Sequence, residues 1–179
     1  KTFTWSFWLK RSTLGTDYHM IYSTDGEQGI YFYFKTDDTL DFGDYYGGGY
    51  KYRLITDRTF KDVSAWYHIV VAVDTTQSTA SDRLKMYVNG VQETSFSTTT
   101  YPSQNFEGSV NRASIVHKIG EMSTAGNLDG YLTEFHSVDG TALAASDFGE
   151  YDSNNVWQPK DCKDNLTYGA NGFYLKFAD

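Results

Sequence analysis

An all-β jelly-roll sandwich of two antiparallel sheets is the fold that the sequence predicts, and three observations carry the prediction. The first is the stretch Trp66 to Gly90, WYHIVVAVDTTQSTASDRLKMYVNG. Its first limb sets Tyr67, Ile69, Val71 and Val73 against His68, Val70 and Ala72, a period-two pattern of β-branched and aromatic residues with little polar surface on either side. Its second limb alternates Leu84, Met86 and Val88 with Lys85, Tyr87 and Asn89. It ends in Asn89-Gly90, the dipeptide that most readily takes positive φ at both turn positions, so the chain folds back there as a hairpin. The second observation is composition: 12 Phe, 15 Tyr and 4 Trp are rings that pack best on a pleated surface. The third is that short alternating segments recur at regular spacing between Gly, Asp and Asn turns, with only 2 Pro in the chain.

Taken in order, Phe3, Trp5, Phe7 and Leu9 point one way and Thr4, Ser6, Trp8 and Lys10 the other, so Phe3 to Lys10 is a strand with one face in the core. Tyr18 to Ser23, Gly29 to Lys35, Thr39 to Phe42 and Tyr50 to Ile55 follow as strands. They are separated by Thr24-Asp25-Gly26, by Thr36-Asp37-Asp38, and by the run Gly43 to Gly49. The polar TTQSTASDR, inside the central stretch, is an exposed loop, and Glu93 to Asn111 is a long Ser/Thr-rich connection. Strands resume at Ser114 to Ile119, Tyr131 to Val138 and Gly172 to Phe177. One helical turn is expected near Ser146 to Gly149, opened by a Ser cap. The 179 residues show no internal linker and are taken as one domain, residues 1–179. Both ends fall in strands, which predicts a module cut from a longer polypeptide with its termini in neighbouring strands.

Charge and cysteine content narrow the function. A formal charge of −8 and a pI near 4.9 oppose nucleic acid or an anionic membrane as partner. No apolar run approaches the ~20 residues of a spanning helix. Cys162 is the only cysteine, which rules out an internal disulfide and a thiolate cluster.

The run Leu128-Asp129-Gly130-Tyr131-Leu132-Thr133-Glu134-Phe135, with the strand after Trp66 and the Leu84 to Gly90 strand-turn, resembles the laminin-G-like branch of the concanavalin A-like lectin and glucanase superfamily. The later run Asp139-Gly140, Ala142-Leu143, Asp147 to Glu150, Trp157, Pro159-Lys160 and Gly172 to Leu175 is similar to a module of marine bacteriophage tail-fibre, head-fibre and other appendage proteins. The resemblance implies a concanavalin A-like sandwich at a virion surface, made in the host cytoplasm. It also implies contacts with other virion subunits, a homotrimer, and a host-surface glycan as partner. It fixes the fold more tightly than the role, because this superfamily holds lectins, glycosidases, adhesion modules and spacers.

Catalysis is not expected. Glycosidases on this fold resemble one another in an E-x-D-x-x-E or E-x-D-x-E strand, because one carboxyl must donate a proton while the other attacks or activates water. Here Glu27, Glu93, Glu107, Glu121, Glu134 and Glu150 each stand alone, and His19, His68, His117 and His136 are scattered over four strands. The expectation is a non-catalytic recognition module. A purely structural or decorating module is the alternative, and a glycan hydrolase would need carboxylates that only folding brings together.

Sugars are held by aromatic rings against their apolar faces and by polar groups on their hydroxyls. Two stretches have that composition: Asp44, Tyr45, Tyr46, Tyr50 and Tyr52 around three consecutive glycines, and Asn127 with Asp129. The same residues also suit a glycine-rich hairpin and ordinary turn chemistry. The resemblance raises calcium as a cofactor, and Asp37, Asp38, Asp41 and Asp44 are the densest acidic group, with Asp25 able to join them. Asn165-Leu166-Thr167 matches the glycosylation acceptor pattern, which a phage protein would not use.

Overall fold

The computed structural model describes residues 1–15, 19–24, 28–122 and 126–177. The strands are β1 (Thr2–Arg11), β2 (His19–Thr24), β3 (Gly29–Phe34), β4 (Thr39–Tyr46), β5 (Gly49–Thr59), β6 (Tyr67–Asp74) and β7 (Leu84–Val88). They continue with β8 (Val91–Glu93), β9 (Phe96–Thr100), β10 (His117–Ile119), β11 (Gly130–Asp139), β12 (Gly149–Tyr151), β13 (Trp157–Pro159) and β14 (Phe173–Leu175). One antiparallel sheet has the order β14-β11-β1-β6-β7-β8 and faces a second of order β10-β2-β3-β4-β5-β9, a jelly-roll sandwich. The termini are not in adjacent strands, because β11 lies between β1 and β14.

The alternation read from the sequence fills the core. Phe3, Trp5, Phe7 and Leu9 of β1 meet Ile30, Phe32, Phe34, Leu40 and Phe42 of the facing sheet, all fully or almost fully buried. Phe7 stacks on Phe135 at 5.4 Å and meets Phe32 edge-on at 5.6 Å. Burying each such ring stabilises the fold by about 1.5–3 kcal/mol.

The second face of β1 is buried too, which the one-sided expectation missed. Residues 141–168 cross the outer face of this sheet. The Thr4 hydroxyl donates to Thr141 O and accepts from Leu143 N–H, both at 2.8 Å. Val70 and Val138 pack against Ala145, Phe148 and Cys162 in a second small core. This is the cover that the two-sided apolar strand β6 requires.

Asn89-Gly90 turns as expected, with φ of 48° and 83°. Asn89 also ties down the start of β6, its side-chain oxygen accepting from His68 N–H at 2.8 Å. Gly90 is needed twice, because a Cβ there would lie 2.6 Å from the Trp157 ring.

Other boundaries differ. Gly43 to Tyr46 continue β4 instead of forming a loop, and only Gly47-Gly48, at φ 61° and 81°, make the turn. A Cβ at Gly43 would meet the Tyr50 ring at 2.8 Å, so glycine here serves close approach within a strand. The Ser/Thr-rich connection contains the edge strand β9, which pairs with β5 from Arg53↔Thr100 to Thr56↔Phe96. The helical turn is a 3-10 turn at Ala145–Asp147, closed by Asp147 accepting from Ala144 N–H and not by a serine.

Candidate functional site

At one end of the sandwich the β4–β5 hairpin meets the loop 106–112, and with Lys1, which pairs with Glu107 at 3.4 Å, and Asp139 they line a cleft of about 430 Å³. Its walls include Tyr46, Phe106, Glu107, Gly108, Asn111 and Arg112. Tyr46 is 40% exposed, so a large ring is offered to whatever enters. The Arg112 guanidinium lies 5.0 Å from the centre of that ring and also beside its hydroxyl, holding the phenol below its ordinary pKa.

Asp44 sets the floor. It is fully buried, and its two oxygens accept from Ser109 N–H and Ser109 Oγ, each at 2.7 Å. Burial raises the pKa of this carboxyl, and the Ser109 hydrogen bonds oppose the rise. Beside it the buried Tyr52 hydroxyl has no hydrogen-bond partner among the described residues, and burial followed by the Asp44 charge pushes its pKa up. Gly108 passes directly above: a Cβ there would fall 2.8 Å from Asp44 Oδ2 and 3.6 Å from Tyr52 Oη. The loop is thus clamped to the sheet from below, while its upper surface shapes the cleft.

The tyrosine stretch is divided by the strands it occupies. Asp44 and Tyr46 belong to the cleft, and Tyr52 is 1% exposed in the core, packed on Phe42. Tyr45 and Tyr50 lie together on the outer face of the sheet at 5.2 Å, edge to face. There the Arg53 guanidinium covers Tyr50 at 4.1 Å and its Nε donates to Asp41 at 3.0 Å. Period-two alternation makes this division, with a register shift at Asp44/Tyr45. Asn127 and Asp129 do not line this cleft; they lie in the segment that leads into β11. Asp129 serves the turn there, its carbonyl accepting from Ser12 N–H at 3.0 Å and its carboxylate from the Thr13 hydroxyl.

The four aspartates do not form a calcium site, a correction of the sequence reading. Asp37 accepts from Thr39 and Lys35, which lower its pKa to about 2. Asp38 pairs with the buried Arg11 at 2.9 Å. Asp41 and Asp44 face opposite sides of β4, one held by Arg53 and Tyr33 and the other by Ser109. Each carboxylate has its own partner. Among the described residues no group of three or more His, Cys, Asp or Glu is placed to hold a metal ion. Asp25 lies outside the described residues.

Folding does assemble one arrangement that resembles catalytic machinery, which the sequence did not disclose. Ser6 Oγ lies 2.8 Å from His68 Nε2, and Trp157 Nε1–H donates to His68 Nδ1 at 3.0 Å. An indole can only donate, so Nδ1 is the acceptor and Nε2 carries the proton, which points at Ser6. His68 therefore cannot take a proton from that serine. Burial drops its pKa to about 3, and the trio acts as a packing relay between β1, β6 and β13.

The family model described as the concanavalin A-like lectin/glucanases superfamily matches residues 1–147. Three solved structures are among those similar to this chain. The heptameric SAP-like pentraxin of Limulus polyphemus is 17% identical with a TM-score of 0.49, covering 80% of this chain and 65% of that one. Domain 4 of AbnA, a GH43 extracellular arabinanase from Geobacillus stearothermophilus solved with arabinotriose, is 15% identical with a TM-score of 0.55, covering 79% and 62%. A botulinum neurotoxin type C structure, whose cell entry depends on two ganglioside molecules, is 14% identical with a TM-score of 0.52, covering 82% and 34%. The chain thus spans from about one third to just under two thirds of the length of these structures, and at such identities the likeness is one of fold. The search of curated proteins found no match. Matched over most of its length and folded as two six-stranded antiparallel sheets, the chain belongs to the concanavalin A-like lectin/glucanase superfamily.

Proposed function

We propose that this module binds carbohydrate, without cleaving it, in the cleft beside Tyr46. One observation carries the reading: a concave site of about 430 Å³ presents an exposed aromatic ring next to a guanidinium, an amide and a carboxylate. A sugar needs such a set, a flat apolar surface for its C–H face and fixed donors and acceptors for its hydroxyls. Tyr46 supplies the surface; Arg112, Asn111 and Glu107 supply the polar groups, on a loop that Asp44 anchors. The likeness in fold to the arabinanase domain solved with arabinotriose and to the ganglioside-dependent neurotoxin supports this reading. From the resemblance of residues 139–175 to phage appendage modules, we place it on a virion surface, in a homotrimer, facing host glycans.

A second reading, a structural module joining subunits, is favoured by the edge strand β14 and the two residues that follow it. There Phe173, Leu175 and Phe177 are 36%, 38% and 49% exposed.

A glycan-array screen of the module, with Tyr46→Ala, Arg112→Ala and Tyr50→Ala alongside, separates the two. Carbohydrate recognition in the cleft requires a glycan signal lost in the first two variants, kept in Tyr50→Ala and insensitive to chelator. A folded module that binds no glycan sinks this reading in favour of the structural one.

A further inference from the structure

Glu134 is an anomaly in the middle of a strand. Its φ is 51°, a left-handed conformation that a non-glycine residue adopts at a cost. It sits at a bulge in β11, where the pairing steps from Ser6↔His136 to Trp8↔Thr133 and so sets Glu134 and Phe135 against Phe7 alone. Phe135 goes into the core, and the Glu134 carboxylate faces a separate cleft of about 390 Å³.

The cleft is built largely by residues beyond 147, outside the span of the family model. Tyr174 donates its hydroxyl to Glu134 Oε2 at 2.8 Å, and its ring stacks on His136 at 4.6 Å. His136 is fixed in turn by the Tyr168 hydroxyl at 2.8 Å, so the carboxylate and the phenol are held in place. Around them stand Lys160, Lys163 and Lys176. The backbone of Lys176 is tied by its carbonyl accepting from the Thr133 hydroxyl at 2.9 Å. Among the described residues the Lys160 and Lys163 side chains have long contacts, 3.4 Å to Ser146 O and 3.5 Å to Asp164. Three lysines thus gather around Glu134 and Asp161, with Asp164 beside Lys163, in a chain whose formal charge is −8.

We infer that this cleft is a second binding site, for a saccharide bearing a single carboxylate, a uronic acid unit. The lysines meet the carboxylate, and the Glu134 carboxylate and the Tyr174 oxygen accept from the sugar hydroxyls. A fixed carboxylate in the middle of the cleft disfavours a polyanion such as phosphate and suits a monoanion rich in hydroxyl donors. The site is separate from the Tyr46 cleft and stands or falls independently of it.

The test is calorimetric titration of the module with monomeric galacturonate, with its neutral methyl ester, and with inorganic phosphate. Galacturonate should bind, with the ester and phosphate at least tenfold weaker. Lys160→Ala/Lys163→Ala and Glu134→Gly should each lower affinity at least tenfold. Glycine keeps the positive φ, so the second variant removes the carboxylate without distorting the bulge. Tyr46→Ala should leave the affinity unchanged. Absence of galacturonate binding, equal affinity for the ester or for phosphate, or an affinity that either of the first two variants leaves unchanged would overturn the assignment.

Discussion

Asp44 offers the sharpest test of how the rim is built. Truncation to alanine removes two hydrogen bonds to an ionisable acceptor, each worth about 1.5–3 kcal/mol, and leaves Ser109 N–H and Oγ, both nearly buried, unsatisfied. Relief of the buried carboxylate returns part of that, so Asp44→Ala should cost about 3 kcal/mol. Asparagine behaves differently: its oxygen can accept from Ser109 N–H while its amide donates to Ser109 Oγ, whose hydroxyl is free to rotate. Asp44→Asn therefore keeps both bonds and carries no charge, and should lie within about 1 kcal/mol of wild type near pH 5.

The pH dependence has a definite sign. Burial raises the folded carboxyl above its unfolded value near 3.9, so its contribution is fully present below that value. It is lost as pH rises through the folded pKa. Urea unfolding of wild type and Asp44→Asn from pH 4 upward should show the asparagine variant gaining on wild type as pH rises. A constant difference across that range, or an asparagine variant as unstable as alanine, would refute this account of the clamp.

The buried histidines titrate with the opposite sign. Burial lowers His68 to about 3 and His136 to about 4, so the folded protein refuses protons that the unfolded chain takes up below about 6.5. In an Asp44→Asn background the unfolding free energy should fall between pH 7 and 5 by about 2 kcal/mol for each histidine, and a flat profile would contradict this. Trp157→Phe should cost about 1–3 kcal/mol by leaving His68 Nδ1 unpaired, measured as a shift in urea midpoint at unchanged slope. Gly90→Ala combines a left-handed φ of 83° with a Cβ 2.6 Å from the Trp157 ring, and should cost about 2 kcal/mol or more by the same measurement. Arg11→Ala should cost about 3–5 kcal/mol, because it abandons a buried Asp38 and removes the donor to Phe60 O.

The sequence disclosed most of the sandwich because one face of most strands is apolar and period two is hard to imitate. It concealed β9, where Phe96 is the single large apolar residue and serine and threonine fill the rest of an edge strand. It also concealed the second face of β1, since Thr4 is covered by residues more than 130 positions away and Ser6 and Trp8 meet His68 of β6. Four glycines in seven positions made Gly43 to Gly49 look like a loop, and that error propagated to the site. Treated as one loop, Asp44, Tyr45, Tyr46, Tyr50 and Tyr52 converge on a ligand; as two strands, they are divided between a cleft, an outer face and the core. Arg112, Asn111 and Glu107 carried no local signal, and only the return of the 106–112 loop over Asp44 makes them neighbours of Tyr46. The bulge at Glu134 was equally hidden, because glutamate is not the residue that a left-handed φ selects.

The central claim is that Tyr46 and its cleft hold carbohydrate, and the direct measurement is calorimetric titration of the best array glycan into wild type and Tyr46→Ala. The account predicts saturable binding by wild type and at least a tenfold loss in a fully folded variant, about 1.4 kcal/mol. Equal affinity in the two proteins would contradict it.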